Sequence, residues 1–154
     1  MRVFNYCAGP STLPVEVLKK FQDEMLDYKG SGMGPMEFSH RSPLYDEINE
    51  GSMALLRELM NIPDNYEILY LTGGATTQFE AVPLNLLGKN NKADHIVTGH
   101  WAQANYKAGL KYGDIAVAGS SEDKSFTYTP DFKIRKDAMY VQITTNNTIY
   151  GTRF

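Results

Sequence analysis

The chain has 154 residues, of which 42% are hydrophobic and 21% are charged, and its formal net charge is −3. This composition excludes a disordered chain, and the length suits one domain with a sizeable core. The negative charge gives no support to binding of nucleic acid or of an anionic membrane surface through bulk charge.

The first 14 residues are punctuated by proline and glycine, which predicts an extended arm. Pro14 stands where a helix is expected to start, since its missing N–H costs nothing there. Apolar residues then recur at helical spacing until a stop near Gly30: Val17, Leu18, Phe21 and Met25. The single cysteine, Cys7, excludes an internal disulfide and favours a cytoplasmic location. No membrane span, signal peptide or metal site is predicted.

A second helix is predicted after a flexible, glycine-rich loop at residues 30–35. Ser42-Pro43 is typical of a helix cap followed by the first helical residue, and the helix must end by Pro63. His40 and Arg41 therefore lie just before a helix N-terminus. The planar fork of an arginine suits carboxylate or phosphate, although a solvated Arg41 beside a capping serine explains the same pattern.

The strongest local pattern lies at the centre of the chain. The apolar run Ile68–Leu71 predicts a buried strand, although its length does not exclude a helix. Gly73 and Gly74 interrupt it, and the capping-box spacing from Thr77 to Glu80 predicts a helix that begins at about Thr77. A glycine turn before a helix leaves N–H groups unpaired at the positive end of the helix dipole, which suits phosphate. An ordinary glycine turn is the alternative, since two glycines are weak evidence.

Strands and helices alternate through the rest of the chain. Further strands are predicted at residues 95–98, 115–118 and 139–144. This alternation predicts an α/β fold with a mainly parallel sheet and ligands outside the carboxyl ends of its strands. The segments that follow three of the strands are therefore expected in one site: Gly73-Gly74, Gly99-His100-Trp101 and Asn146-Asn147-Thr148.

Six motifs occur in the order found in a known family. They are Asn5 with Ala8-Gly9-Pro10-Ser11 and Leu13-Pro14, Ser39-His40-Arg41-Ser42, Gly73-Gly74-Ala75 with Gln78-Phe79, Ala81-Val82-Pro83-Leu84-Asn85-Leu86, Trp101, and Asn147-Thr148-Ile149 with Gly151. Over its whole length the chain resembles the phosphoserine aminotransferases, pyridoxal-phosphate enzymes of the class V aminotransferase family. The resemblance implies the fold of aspartate aminotransferase, a fold type I, three-layer αβα architecture. It implies an arm at residues 1–14 and the N-terminal portion of the large cofactor-binding domain at residues 15–154.

The resemblance also implies an activity and a site. The activity is reversible transfer of an amino group between phosphoserine and 2-oxoglutarate, which gives phosphohydroxypyruvate and glutamate in serine biosynthesis. Contacts to pyridoxal 5'-phosphate are implied at Gly74, Ala75, Thr76, Trp101 and Thr148. The first three would hold the phosphate through their backbone, Trp101 would stack on the pyridine ring, and Thr148 would bond near the phenolic oxygen. His40 and Arg41 would contact substrate anions across the interface of a homodimer.

The chain departs from the family pattern at two residue positions and in its length. Some members carry basic residues where this chain has Thr76 and Leu44, which weakens the expectation for substrate-phosphate contacts. Family members are also much longer, and their Schiff-base lysine, the aspartate at the pyridine nitrogen and the small domain would lie beyond Phe154. The ten lysines of this chain occupy polar helix faces, loops or a charged run. No catalytic residue is therefore predicted in it, and weak, non-covalent cofactor binding without turnover is expected.

Three functional hypotheses follow. The first is a portion of this aminotransferase. The second is a stand-alone phosphate- or nucleotide-binding α/β module, for which Gly73-Gly74 supplies neither a dinucleotide-binding fingerprint nor a P-loop. The third is a non-catalytic fragment that keeps the family's dimer surface, which would associate with itself without affinity for the cofactor.

Overall fold

The computed structural model describes residues 2–7 and 9–154, and it divides the chain into two compact units that meet in sequence between Tyr70 and Leu71. Positions 1 and 8 of the predicted arm lie outside the described residues. The other arm residues before Pro14 form neither helix nor strand. In the part of the chain that is described, no helix combines the length and the apolar character needed to cross a membrane.

The first unit contains two α-helices, α1 (Val15–Glu24) and α2 (Pro43–Met60). The Ser42-Pro43 prediction is confirmed, because the Ser42 hydroxyl accepts a hydrogen bond from the Tyr45 backbone N–H at 3.2 Å and Pro43 is the first helical residue. Asn61 follows the last residue of α2, and its left-handed backbone (φ 51°) closes the last turn before Pro63.

The segment between these helices contains a hydrogen-bonded turn, and residues 30–34 form neither helix nor strand, as predicted for a loop, whereas the flexibility of this loop stays a prediction. The Tyr28 amide donates to the Met33 carbonyl at 2.9 Å, and the Gly32 amide donates to the Asp27 carboxylate at 2.8 Å. These bonds compete with continuation of the helix, so α1 ends at Glu24 and does not reach Gly30. A 3-10 turn at Pro35–Glu37 follows.

The second unit is a parallel sheet with helices in its connections. Its elements are α3 (Gly74–Leu86), β1 (Lys92–Val97), α4 (His100–Gly109), β2 (Asp114–Ser120), a 3-10 turn (Glu122–Lys124) and β3 (Val141–Gln142). The strand order is β2-β1-β3, and both pairings are parallel. The predicted mixed α/β fold with a parallel sheet is confirmed.

Strand β1 forms the centre of this unit because it is buried from Ala93 to Val97. Helix α4 packs on β1 through Tyr106, which contacts two clusters of buried apolar side chains. The first cluster is Leu87, Ala93 and Ile115, and the second is Val97, Ala102 and Phe126. This packing fixes the start of α4 directly beyond the carboxyl end of β1.

Two strand predictions differ from the structure. Ile68–Leu71 is not a strand, and Leu69 and Leu71 are 71% and 63% exposed. An apolar run becomes a strand only when a neighbouring backbone completes its ladder, and none of the described residues pairs with it. The strand predicted at residues 139–144 shortens to Val141–Gln142, although the Met139 amide still bonds to the Lys92 carbonyl at 2.8 Å.

Candidate active site

The first wall of the site is the N-terminus of α3. This helix begins at Gly74, three residues before the predicted start at Thr77, so the capping-box prediction is wrong. Gly73 adopts a left-handed backbone (φ 94°) that turns the chain into the helix, and a Cβ there would lie 1.8 Å from the Thr77 hydroxyl oxygen. Only glycine satisfies both conditions. Glu80 bonds instead to Lys111, with 2.7 Å between the carboxylate oxygen and the ammonium nitrogen.

The early start of α3 places three predicted phosphate-binding residues in its first turn. The first bond back to the cap joins the Thr77 amide to the Gly73 carbonyl at 3.3 Å. The amides of Gly74, Ala75 and Thr76 therefore precede the hydrogen-bond ladder of the helix, and no backbone carbonyl of the described residues accepts from them. All three residues are exposed. The helix dipole adds partial positive charge at the same place.

The second wall is the start of α4. Gly99 precedes the helix, and Trp101 is its second residue. The indole is 42% exposed, and its ring lies edge-on to the His100 ring with 4.9 Å between centroids. An aromatic face at this position can cover a planar ligand ring. The expectation that Trp101 lies at the carboxyl edge of the sheet is confirmed, because it follows directly from β1.

The third wall is the segment that follows β3. The chain turns back on itself here, since the Asn147 amide donates to the Thr152 carbonyl at 2.9 Å and the Gly151 amide donates to the Asn147 carbonyl at 2.7 Å. Asn147 is buried, whereas Asn146 and Thr148 remain exposed. The turn therefore presents amide and hydroxyl groups at the carboxyl end of β3.

These walls line one open cavity of about 450 Å³. Its lining residues are Ala75, Thr76, Phe79, Trp101, Gln142, Ile143, Thr144, Thr145, Asn146 and Thr148. Four of the five predicted cofactor-binding residues are among them, and Gly74 lies beside them in the first turn of α3. The expectation that post-strand segments meet at one edge of the sheet is therefore confirmed for the segments after β1 and β3, whereas the α3 wall follows no strand.

None of the residues that line this cavity has an ionisable side chain. The positive potential available to an anion comes from backbone amides and the helix dipole. Phe79 and Trp101 supply apolar lining, and the segment 142–148 supplies most of the polar lining. Such a cavity can bind a planar, phosphorylated ring, but it holds no group of its own that could act as a general base.

A second hollow of about 360 Å³ lies between α3 and α4 and shares Thr76, Phe79 and Trp101 with the first. It is also lined by Lys107 and Lys111. The hydrogen bond between Lys111 and Glu80 raises the pKa of the lysine ammonium and lowers the pKa of the glutamate carboxyl. Both groups therefore stay charged, and Lys111 is unsuited to act as a nucleophile at neutral pH.

His40 and Arg41 belong to the first unit, whereas every cavity residue belongs to the second. Both are exposed, in the turn that precedes α2. The Arg41 amide donates to the Ser39 hydroxyl at 3.3 Å, and within the described residues the guanidinium forms no salt bridge. Their expected role in binding substrate anions stays a prediction.

Several residues of the site were missed from the sequence. Phe79 and the run Gln142–Thr145 line the cavity but were not among the candidate residues. The position of Gln142–Thr145 at the end of a parallel strand could have identified them, because ligands bind at the carboxyl ends of such strands. Across the described residues, no group of three or more His, Cys, Asp or Glu side chains could hold a metal ion.

Comparisons with known proteins identify close relatives. The family model described as aminotransferase class-V matches residues 3–154. The phosphoserine aminotransferase of Acinetobacter baumannii is 50% identical over 158 aligned residues, which cover 100% of this chain and 44% of that protein. The phosphoserine aminotransferase of Bacillus cereus is 48% identical over an alignment that covers 99% of this chain and 43% of that protein. The chain thus spans less than half the length of the relatives it matches.

Solved structures agree with these relatives. A phosphoserine aminotransferase from Bacillus circulans subsp. alkalophilus superposes with a TM-score of 0.93 at 38% identity, covering 99% of this chain and 43% of that one. A phosphoserine aminotransferase from Trichomonas vaginalis, described as PLP bound, superposes with a TM-score of 0.91 at 32% identity. This superposition covers 99% of this chain and 47% of that one. The fold of this chain is therefore that of the matching portion of these pyridoxal-phosphate enzymes.

Proposed function

Because the chain belongs to the class-V aminotransferase family, we propose that it forms the cofactor-binding part of a phosphoserine:2-oxoglutarate aminotransferase of serine biosynthesis. The observation that carries this proposal is the single cavity into which Ala75, Thr76, Trp101 and Thr148 converge from three separate segments. The sequence relatives carry the name of that activity.

The phosphate of pyridoxal phosphate fits the first turn of α3. The amides of Gly74, Ala75 and Thr76 lack backbone acceptors among the described residues, and a dianionic group provides the acceptors they need. The absence of a side chain at Gly74 and the single methyl of Ala75 leave the backbone accessible. The Thr76 hydroxyl can add a further donor.

The ring of the cofactor fits between the other two walls. Trp101 offers an aromatic face, and Thr148 offers a hydroxyl that can donate to an oxygen substituent of the ring. When bound, pyridoxal phosphate supplies the electron-accepting ring that makes a substrate α-proton removable. The residues of this chain bind and orient that ring and exclude water from one of its faces.

Substrate recognition is assigned to His40 and Arg41. Phosphoserine, glutamate and 2-oxoglutarate are anions, and the planar donors of arginine suit carboxylate and phosphate oxygens. Both side chains are exposed and therefore open to a ligand or a second subunit. We assign the working protein to the cytoplasm as a homodimer, and sedimentation of the purified chain at increasing concentration tests the association.

Two single substitutions in α3 test the proposed binding of pyridoxal phosphate. Ala75→Glu places a carboxylate at the N-terminus of α3, where it favours the helix through the dipole but repels a phosphate. Leu84→Glu introduces the same charge at the far end of α3, where the side chain is 69% exposed. Quenching of the Trp101 fluorescence by pyridoxal phosphate reports binding in both variants.

We expect the original chain and Leu84→Glu to bind pyridoxal phosphate equally and Ala75→Glu to bind about tenfold more weakly, the effect of losing roughly 1.4 kcal/mol. Pyridoxal, which lacks the phosphate, should bind poorly to all three proteins. Equal affinity of pyridoxal and pyridoxal phosphate, or equal binding by the two glutamate variants, would contradict the proposed phosphate site.

A further inference from the structure

Asn147 is the one buried residue of the turn that follows β3, at 1% exposure. Its side-chain amide nitrogen donates to the Thr98 hydroxyl at 3.0 Å and to the Thr152 carbonyl at 3.1 Å. A third, longer bond of 3.4 Å reaches the Thr144 carbonyl. Thr98 is itself fully buried and is the residue that follows β1. One side-chain amide therefore joins the carboxyl ends of two neighbouring strands.

The Asn147 side chain also packs against Gly99, the residue that follows Thr98. A Cβ added to Gly99 would lie 2.5 Å from the Asn147 side-chain oxygen and 3.0 Å from its Cγ. Any side chain at position 99 would therefore displace Asn147 or move the start of α4. Trp101 lies two residues after Gly99, and Thr148 is the residue that follows Asn147 in sequence.

We infer that Asn147 is a positioning residue that fixes Trp101 and Thr148, which line the cavity from two different segments, at the spacing required by a cofactor ring. The inference rests on the proposed function, since the ring is that of pyridoxal phosphate. Asn147 does not line the cavity and acts only through its neighbours.

The chemistry of the site requires an amide here. The three groups around the Asn147 nitrogen accept in this arrangement, and a carboxylate in its place would face two carbonyl oxygens that have no proton to donate, with only the Thr98 hydroxyl able to donate to it. The side-chain oxygen is buried without a hydrogen-bond partner among the described residues. A buried acceptor left unpaired costs stability, and such costs are characteristic of sites where position matters more than stability.

The test uses the lone tryptophan of the full chain. Because Trp101 is the only indole, a ¹H–¹⁵N spectrum contains one indole N–H signal, which reports its position with or without cofactor. The variants are Asn147→Asp, which removes the donor, and Thr98→Val, which removes the acceptor at β1 and leaves Asn147 unchanged. Asn90→Asp is the control, because it makes the same chemical change where Asn90 donates to the Asp137 carbonyl.

We expect Asn147→Asp and Thr98→Val to shift the indole signal and to weaken binding of pyridoxal phosphate by about fivefold or more, the effect of one lost hydrogen bond. Asn90→Asp should change neither. If Asn147→Asp fails to fold, Thr98→Val decides the question alone. An unmoved indole signal in Thr98→Val together with affinity within twofold of the original chain overturns the inference. If the original chain does not bind the cofactor, the proposed function fails, and the indole shifts still decide whether Asn147 positions Trp101.

Discussion

Arg135 and Asp94, which are 41 residues apart in sequence, form the most extensive polar contact of the sheet. The Arg135 backbone amide donates to one Asp94 carboxylate oxygen at 2.5 Å, and its side-chain Nε donates to the other at 2.6 Å. The remaining guanidinium nitrogens reach the Asp114 carboxylate at 2.7 Å and the Ala93 carbonyl at 2.8 Å. One arginine thus ties β1, β2 and the segment before β3 together.

Arg135→Ala should destabilise the second unit by about 3 kcal/mol, because it leaves the buried Asp94 carboxylate without its charged partner. The measurement is urea unfolding followed by Trp101 fluorescence. Lys133→Ala is the matched control and should change the free energy of unfolding by less than about 0.5 kcal/mol, as exposed substitutions do. Equal effects of the two substitutions would show that the contact contributes little.

The burial of His95 is expected to make the folded chain less stable in mild acid. Burial lowers its pKa from 6.5 to about 4, an effect that the neighbouring Asp94 carboxylate only partly offsets. The unfolded chain therefore binds a proton near pH 6.5 that the folded chain does not accept until about pH 4. His95 therefore leaves the free energy of unfolding unchanged above pH 6.5 and lowers it as the pH falls from 6.5 towards 4.

The expected slope is about 1.4 kcal/mol of unfolding free energy per pH unit within that window. Urea unfolding across a pH series measures it. His95→Phe, which fills the space between the Tyr106 and Tyr140 rings, should reduce the slope, whereas the exposed His100→Gln should retain it. A slope that survives in His95→Phe would assign the acid sensitivity to carboxyl groups.

Local signals in the sequence were sufficient where the deciding contacts are local. Ser42-Pro43 located the start of α2, because a helix cap depends on neighbouring residues. Ile68–Leu71 failed because strand formation depends on a partner that composition does not reveal. The capping-box spacing at Thr77 failed because Gly73 had already turned the chain into the helix.

The buried polar contacts could not be predicted at all. Nothing near Asp94 in sequence indicates Arg135, and nothing near Thr98 indicates Asn147, since both pairs meet only when the sheet forms. The one available signal was an aspartate and a histidine between the apolar residues Ala93 and Ile96 of β1, which predicts buried polar groups in need of partners. The convergence of the two walls after β1 and β3 was predictable because it follows from the parallel topology.

Trp101→Ala should weaken binding of pyridoxal phosphate by about 1–2 kcal/mol, the scale of a desolvated aromatic contact. Equilibrium dialysis measures this without the fluorescence of the lost indole. Leu110→Ala, which truncates a half-exposed apolar side chain directly after the same helix, is the control and should bind normally. Unchanged affinity in Trp101→Ala would reject the stacking role.

Borohydride reduction in the presence of pyridoxal phosphate should modify no single lysine stoichiometrically. None of the lysines lines the larger cavity, and hydrogen bonds to Glu47 and Glu80 raise the pKa of Lys29 and Lys111, which keeps both as ammonium ions. Peptide mapping of the reduced protein provides the measurement. Lys107, which lines the hollow beside Trp101, is the residue to watch, and Lys107→Arg is its control. Stoichiometric labelling of one lysine with glutamate-dependent turnover would contradict the expectation.

The proposed phosphate site at the start of α3 is tested most directly by a ¹H–¹⁵N titration of the chain with pyridoxal phosphate. The backbone signals of Gly74, Ala75 and Thr76 should move together with the Trp101 indole signal and follow one binding curve. Inorganic phosphate should move the three backbone signals and leave the indole in place. Saturable binding of pyridoxal phosphate that leaves the signals of Gly74, Ala75 and Thr76 unmoved would contradict the assignment of α3 as the phosphate site.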